Sequence, residues 1–432
     1  MNLNLKRRAF LQTAAALSTA AMFPSPSILR AQSPNSKLNV AFVGTGGRGM
    51  SHRDAVKKGD NIVALCDTDK NTLEKSAAGI PQAEKFADFR KLLEKYGDKL
   101  DAIIVSTPDH THAAVSVAAM KLGIHCLTEK PLAHDVSEIR LMQKIAKEKN
   151  LKTQMCTQIH ATDNYRRVVE HIQAGVVGKV KKVHAWAGAG WGNKPKPAGT
   201  HPIPANIDWD VWLGPALETP YNPCYFGGNW RSFWRFGNGS LGDMGCHYID
   251  LPFWALDLKY PVTAETTGPK NDPECCPSGV TAKYEFPQTD KHEALTLFWY
   301  DGGARPALLA EFGMPVWGGG VLFVGDKGVL LANYNEFRIY GDVKTYQGFK
   351  APEQTIPKSA GHTEEWLNAI KSGQGETTCN FDYSGKVAEM VLLGALSYRV
   401  GKKITWNAAE MKTDNPEADK YLAQERRKGW EL

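Results

Sequence analysis

Long apolar runs are missing from this 432-residue chain. None reaches the roughly 18–20 residues that a helix needs to cross a bilayer, so the sequence offers no candidate transmembrane helix. An excess of charge of one sign is missing as well. The formal net charge is +6, and four basic residues (Lys6, Arg7, Arg8 and Arg30) lie in a first stretch of 31 residues that holds no Asp or Glu. Without that stretch the charge drops to +2, which is no electrostatic footprint for nucleic acid. Cysteines are sparse: eight in all, with no Cys-x-x-Cys spacing, so few or no disulfides are expected. Cys66, Cys126 and Cys156 sit in or at the end of expected strands and read as core thiols. Cys275 and Cys276, adjacent in a polar loop, suggest no role. At 42% hydrophobic and 23% charged residues, the composition excludes disordered, collagen-like and coiled-coil chains. The length suits two or three domains.

The N-terminus reads as an address. Lys6-Arg7-Arg8-Ala9-Phe10-Leu11 precedes an Ala-rich stretch, Ala14 to Met22, and a Pro/Ser segment ending at Leu29-Arg30-Ala31. This is the layout of a bacterial export signal over residues 1–31, and the paired arginines before Phe-Leu resemble the twin-arginine type. It implies the twin-arginine export machinery as a partner and a periplasmic or otherwise exported protein.

Residues 37–157 alternate between strand and helix patterns. Lys37–Val43 reads as a buried strand running into Gly44-Thr45-Gly46-Gly47-Arg48-Gly49, with Met50 to Lys58 as the following helix. The next strand, Asn61–Cys66, ends on Asp67, 18 residues after Gly49. Glycines let a pyrophosphate approach the backbone, a helix N-terminus offers it unpaired N–H groups, and an acid at this distance accepts from ribose hydroxyls. With no basic residue before Lys70, Asp67 favours NAD over NADP. Helices are expected at Phe89–Lys95, Ala113–Leu122 and Val136–Glu148, and strands at Ala102–Ser106, His125–Thr128 and Lys152–Thr157. Such alternation makes an α/β fold with a doubly wound parallel sheet, whose ligands bind beyond the carboxyl ends of the strands. Ser106-Thr107-Pro108-Asp109-His110-Thr111-His112 and Thr128-Glu129-Lys130-Pro131-Leu132 fall there.

The Glu129-Lys130-Pro131 turn, the Thr-Pro-x-His-x-His segment and the glycine fingerprint together resemble the Gfo/Idh/MocA oxidoreductases, which include inositol and sugar dehydrogenases and glucose–fructose oxidoreductase. The resemblance covers nearly all of the chain after residue 31, weakest between about Gly188 and Pro223 and after Pro261. It implies a C-terminal α+β domain over residues 158–412 with a large, mostly antiparallel open sheet, and a homo-oligomer, dimer or tetramer, built on that sheet. The sequence fits: Ala294–Tyr300 with Ala307–Phe312, and Gly320–Val324 with Val329–Ala332, carry hairpin signals at Asp301-Gly302-Gly303 and at Gly325–Gly328. The polar stretch Thr413–Leu432 reads as a tail, either wrapping a neighbouring subunit or loose.

By the same resemblance Lys130, Asp243 and His247 form the catalytic set. Asp243 and His247 are four residues apart and share one face of a helix. Alcohol oxidation by hydride transfer needs a base for the hydroxyl proton, which a histidine can be, and a cation beside the developing alkoxide, which Lys130 can supply. Asp243 then orients His247 or binds a substrate hydroxyl. Gly44, Gly46, Gly47, Arg48, Gly49, Asp67, Thr107, Pro108, His112, Glu129 and Lys130 are the expected cofactor contacts, while His110 could equally be structural. His160, Tyr165, Trp230 and Arg231 are the expected substrate contacts, although many relatives carry Arg near His160. Seven of the twelve tryptophans lie between residues 186 and 254. Aromatic faces suit sugar C–H faces, but most of these rings are expected in the core. No metal is expected at Asp243, Cys246 and His247, because Cys246 points off the shared face.

Function follows as an NAD-dependent oxidoreductase acting on a secondary alcohol of a sugar, glycoside or cyclitol. Export implies a tightly bound cofactor, since the periplasm holds no substantial free NAD. The alternative is a redox-neutral NAD-dependent glycoside hydrolase working through a transient keto-sugar, a route that needs no paired carboxylates.

Overall fold

Strand and helix boundaries in the first half follow local pattern closely. The computed structural model describes residues 37–194, 198–341 and 349–432; the expected export signal lies outside them. The first half runs β1 (Asn39–Val43), α1 (Arg53–Lys57), β2 (Asn61–Cys66), α2 (Lys70–Ala77), β3 (Glu84–Phe86), α3 (Phe89–Tyr96), β4 (Ala102–Val105), α4 (Asp109–Lys121), β5 (His125–Thr128), α5 (Val136–Glu148) and β6 (Thr153–Met155). The strands form one six-stranded sheet in the order β3-β2-β1-β4-β5-β6, every pair parallel. The doubly wound α/β sheet expected from the alternation is therefore present.

Two helix starts differ from the sequence reading. The helix after the glycine loop begins as a 3₁₀ turn, Gly47–His52, before α1. Helix α4 begins at Asp109 rather than Ala113, so Asp109-His110-Thr111-His112 forms its first turn. Pro108 in extended geometry sets the start, and Asp109 favours the positive end of the helix dipole. Three of these residue types are weak helix formers, which hides the turn from a propensity reading.

The second half continues with α6 (Asp163–Gln173), β7 (Val180–Ala187), α7 (Trp209–Leu213), α8 (Gly239–Leu256), β8 (Thr263–Thr267), β9 (Thr281–Phe286), β10 (Leu295–Tyr300), α9 (Leu308–Glu311), β11 (Gly319–Gly325), β12 (Val329–Ala332) and β13 (Phe337–Tyr340). It ends with α10 (His362–Ser372), α11 (Phe381–Val400), β14 (Ile404–Asn407), β15 (Lys412–Thr413) and α12 (Pro416–Asp419). Nine strands make a second sheet in the order β13-β12-β11-β7-β10-β9-β8-β14-β15. All its pairs are antiparallel except β7 with β10. The hairpin β11–β12 forms as expected. The expected strand Ala307–Phe312 does not: Leu308–Glu311 is a helical turn between Pro306 and Gly313, and Ala-Leu-Leu-Ala-Glu favours helix.

Helices α8 and α11 lie buried along most of their length and pack on one another beneath the second sheet. Residues from both halves share one apolar core, including Val105, Met120, Tyr165, Ile249, Leu297 and Val391. The C-terminal stretch packs on its own chain. Ala418, Leu422 and Trp430 join that core, and Arg427 pairs with Asp210 and Glu218. Cys275 and Cys276 are buried rather than looped out, the first in an aromatic cluster around Trp209 and Trp212, the second in the main core. All eight cysteines lie among the described residues, and no disulfide joins any of them.

Candidate active site

The glycine loop packs so tightly that side chains are excluded at two positions. A Cβ on Gly44 would lie 2.5 Å from the Ser106 carbonyl oxygen, and one on Gly49 would lie 1.9 Å from that of Gly44. Gly44 also has φ +83, a conformation side chains resist. The loop thus presents bare backbone beside a cleft of about 210 Å³ lined by Gly44, Gly46, Asp67, Thr107 and Pro108 among others. Ser106 and Thr107 line the cleft too, and their hydroxyl oxygens are buried without hydrogen-bond partners. Glycine cradle, orphaned hydroxyls and an acid at the end of β2 form a donor and acceptor set that fits a dinucleotide.

Asp67 is preorganised. Its Oδ2 accepts from the Thr45 N–H at 2.8 Å and Oδ1 from the Asp69 N–H at 3.0 Å. Burial raises its pKa against the lowering by these bonds. The flanking Thr68–Lys70 turn is clamped by the second half of the chain. Lys70 N–H donates to the Asn206 carbonyl and Asp208 N–H to that of Thr68, both at 2.8 Å, and Asn206 Nδ2 donates to Asp69 Oδ1 at 2.7 Å. The same segment carries Val211 and Trp212 into the wall of the cleft, joined by Phe226. Sequence reading missed this clasp, which lies where the family resemblance is weakest.

His112 and Glu129 stand behind the cleft. The ring nitrogens of His112 lie 2.8 Å from the carbonyl oxygens of Thr107 and Pro131, tying the ends of β4 and β5 together, and burial lowers its pKa. His110 is likewise structural, its ring against the carbonyl oxygens of Trp212 and Phe236. Glu129 turns beneath the glycine loop, 3.7 Å from Arg48 and 3.5 Å from His52. Burial opposes its charge, but His52, Lys130 and Arg48 hold its pKa down at about 2.

Lys130, after β5, meets Asp243 on the first turns of α8. Its Nζ donates to Asp243 Oδ1 at 2.5 Å and to the Asp243 carbonyl at 2.9 Å. Arg231 Nε donates to the same oxygen at 2.9 Å, and the Trp191 indole to Oδ2 at 2.7 Å. Burial opposes the charge on Asp243, yet Lys130 and Arg231 hold its carboxyl well below the usual range. Two cations on one carboxylate leave poor electrostatics for a divalent metal there. Asp243 therefore orients Lys130, not His247.

His247 lies one turn further along α8 with its Nδ1 buried and unpartnered. Burial, with the Lys130 charge second, lowers its pKa to about 3, so the ring is neutral across the physiological range. Tyr165 does not face the cleft; its hydroxyl donates to the His247 carbonyl at 3.2 Å and anchors that turn. His160 is also turned inward, 2.9 Å from Asp250 and stacked on Trp254 at 3.8 Å. The sequence reading placed both as substrate contacts; the structure places both as supports of α8, because burying α8 requires its inward polar atoms to be paired. Trp230 stacks on the Arg231 guanidinium at 4.2 Å and so joins the edge of the site.

Two residues near Lys130 were missed. Trp191 is 41% exposed yet holds Asp243; its glycine-rich surroundings were the available signal. Asp109 is buried, with Asn238 Nδ2 3.5 Å away. Burial raises its pKa to about 7, against the pull of Arg231.

Comparison with known proteins agrees with this architecture. The sequence model of the Gfo/Idh/MocA oxidoreductase family, NAD-binding Rossmann fold, matches residues 38–157, and that of the family's C-terminal alpha/beta domain matches residues 162–290. Inositol 2-dehydrogenase 4 of Saccharopolyspora erythraea is 29% identical over 154 residues, 35% of this chain and 45% of that protein. A glycosyl hydrolase family 109 protein of Solibacter usitatus is 30% identical over 168 residues, 34% of this chain and 36% of that protein. The chain thus aligns with less than half the length of either. Among solved structures, the WlbA dehydrogenase of Bordetella pertussis, in complex with NADH and UDP-GlcNAcA, superposes with a TM-score of 0.62 at 16% identity, covering 86% of this chain and 99% of that one. A levoglucosan dehydrogenase in complex with NADH and L-sorbose gives 0.57 at 18%, with the same coverage. At such identities the likeness is one of fold.

Proposed function

The chain belongs to the Gfo/Idh/MocA family of NAD-binding oxidoreductases, and from that premise we propose that it oxidises or reduces a secondary alcohol of a sugar, glycoside or cyclitol with an NAD that stays bound between turnovers. One observation carries the reading: Lys130 is held by Asp243, one helical turn from a neutral His247, and His112 ties the carbonyl of the adjacent Pro131 to that of Thr107, which lines the dinucleotide cleft. NAD in that cleft supplies the hydride acceptor or donor. Gly44 to Gly49 and Asp67 bind it. The Lys130 ammonium, fixed by Asp243, steadies negative charge on the substrate oxygen. His247 takes or returns the hydroxyl proton at its ring nitrogen. Trp191 and Arg231 keep Asp243 ionised, so that Lys130 stays in place.

Two features support retention of the cofactor. The Asn206–Trp212 clasp bonds the turn beside Asp67 and lends Val211 and Trp212 to the cleft wall. The paired arginines near the N-terminus support export by the twin-arginine route, which carries folded proteins. The glycosyl hydrolase family 109 relatives favour a second reading, in which the same residues serve a transient oxidation that returns its hydride after the glycosidic bond is cleaved.

The test begins with denaturing the purified protein and assaying the supernatant for NAD(H) and NADP(H). Stoichiometric NAD supports the bound-cofactor cycle, and sugar and glycoside panels are then run without added cofactor. An empty protein that binds NAD weakly overturns retention. Lys130→Ala is expected to lower turnover by about 10²–10⁴-fold; turnover close to that of the wild type would remove Lys130 from the chemistry.

A further inference from the structure

All twelve tryptophans lie among the described residues, and only Trp191 is exposed, at 41%. A single apolar residue at a surface is ordinary. What sets this one apart is how firmly it is held, and to what. On either side of it, Gly188 N–H donates to the Gly318 carbonyl at 2.6 Å and Asn193 N–H to that of Cys276 at 2.9 Å, while the Ala189 carbonyl accepts from Gly302 N–H at 2.8 Å. The backbone rests directly on its neighbour too, since a Cβ on Gly192 would lie 2.1 Å from the Pro277 carbonyl oxygen. Trp191 itself binds α8 twice, by its N–H to Ser240 Oγ at 2.6 Å and by its indole to Asp243 Oδ2 at 2.7 Å. Its position is therefore set by the fold before any ligand arrives.

The faces of the ring are left open. Trp230, Trp254 and Trp317 are half-buried, and each carries a partner on its ring: Arg231 at 4.2 Å, His160 at 3.8 Å and Arg338 at 5.7 Å. Trp191 has no such aromatic or cationic partner among the described residues. An indole has one polar atom. Here it is spent on Asp243, so the exposed ring surface is carbon.

Position gives that surface a use. Asp243 holds the indole on one oxygen and the Lys130 ammonium on the other. Nε1 and Nζ are thus at most about 8 Å apart, from the two bonds and the dimensions of the carboxylate between them. A substrate whose reacting hydroxyl meets Lys130 has the indole within reach of its remaining carbons. A hydroxylated six-membered ring presents a rigid face of C–H groups, which suits the negative face of an aromatic ring. An open-chain polyol has no fixed face of this kind and must freeze several bonds to form one.

We propose that Trp191 is the platform on which the substrate ring rests, and that it selects cyclic polyols, pyranoses or cyclitols, over open-chain ones. The proposal rests on the reading above, in which Lys130 meets the reacting oxygen. The indole then serves twice: its edge fixes Asp243 and its face takes the ring.

Single-turnover reduction of the bound nicotinamide, followed by absorbance in protein loaded with oxidised NAD, tests this. The probes are myo-inositol, glucose and methyl β-glucopyranoside, with glucitol as the open-chain control. At least one ring is expected to react at a lower half-saturating concentration than glucitol. Trp191→Ala should raise that concentration for the ring about tenfold, the worth of one aromatic stacking contact, and narrow the gap to glucitol. Trp191→Phe keeps a flat ring without the donor to Asp243, so it should keep most of the affinity and lose limiting rate. A half-saturating concentration for the ring that does not move in Trp191→Ala, with only the limiting rate lowered, would reduce Trp191 to a support of Asp243 and overturn the platform. So would a phenylalanine variant as weak in affinity as the alanine one. Glucitol half-saturating as low as the rings in the wild type would overturn the selectivity. If no ring reduces the nicotinamide at all, the sugar-alcohol reading itself fails and this inference with it. A melting curve for each variant separates loss of fold from loss of the platform, and Trp191→Leu, apolar but not flat, should repeat the alanine result.

Discussion

Asp243→Asn is the substitution whose cost can be worked out most directly. The buried carboxylate accepts from Lys130 and Arg231 on one oxygen and from the Trp191 indole on the other. An amide of the same shape carries no charge, and whichever way it turns, its NH₂ faces a donor. The Lys130 side chain is only 10% exposed, so its ammonium loses its counter-ion inside the protein. Breaking one partner of a buried pair in this way costs about 3–5 kcal/mol. With about 2.1 cal/mol/K of unfolding entropy per residue over roughly 400 residues, the melting temperature should fall by about 4–6 °C. Scanning calorimetry at pH 7 measures this, together with Lys130→Met and the double variant. If the two side chains are coupled as the geometry states, the double variant loses less than the sum of the singles by about 1–3 kcal/mol. A melting temperature within about 1 °C of the wild type, or strict additivity, would falsify the reasoning.

Asp67→Ala should weaken NAD binding by about 10–100-fold through the lost charge-assisted hydrogen bond; unchanged affinity in an equilibrium titration removes the ribose contact. Asn206→Ala deletes the bond to Asp69 and should speed NAD release about fivefold with little change in melting temperature, the effect of about 1 kcal/mol; an unaltered release rate in stopped-flow fluorescence means the clasp does not hold the cofactor. Burial opposes charge on His160, but Asp250 outweighs it and holds the ring's pKa up at about 10. Its stabilising contribution is therefore complete below the unfolded value near 6.5 and is lost as pH rises through 10. Urea midpoints should decline from pH 7 to 10 and do so less in Asp250→Asn; parallel profiles for the two proteins would contradict the buried ion pair.

Local pattern carried far in the first half. Asn61–Cys66, His125–Thr128 and Val136–Glu148 occur with the bounds read from sequence, because a buried parallel strand and an amphipathic helix each impose their own periodicity on neighbouring residues. The glycine loop and Asp67 were legible for the same reason: their chemistry depends on residues close together in the chain. The pattern misled where short apolar runs suit either state, as at Leu308–Glu311, and where weak helix formers open a helix, as at Asp109.

What the sequence alone determined is thus the Rossmann half, its nucleotide loop and the family resemblance, all of them matters of short-range order. The tertiary structure decided which side chains share an atom. It set Lys130, Arg231 and Trp191 around Asp243 across separations of 113, 12 and 52 residues. It turned His160 and Tyr165 inward to support α8 and folded the C-terminal stretch onto its own core. Such pairings depend on how buried surfaces and their polar atoms are satisfied across the whole fold, and no local periodicity records that.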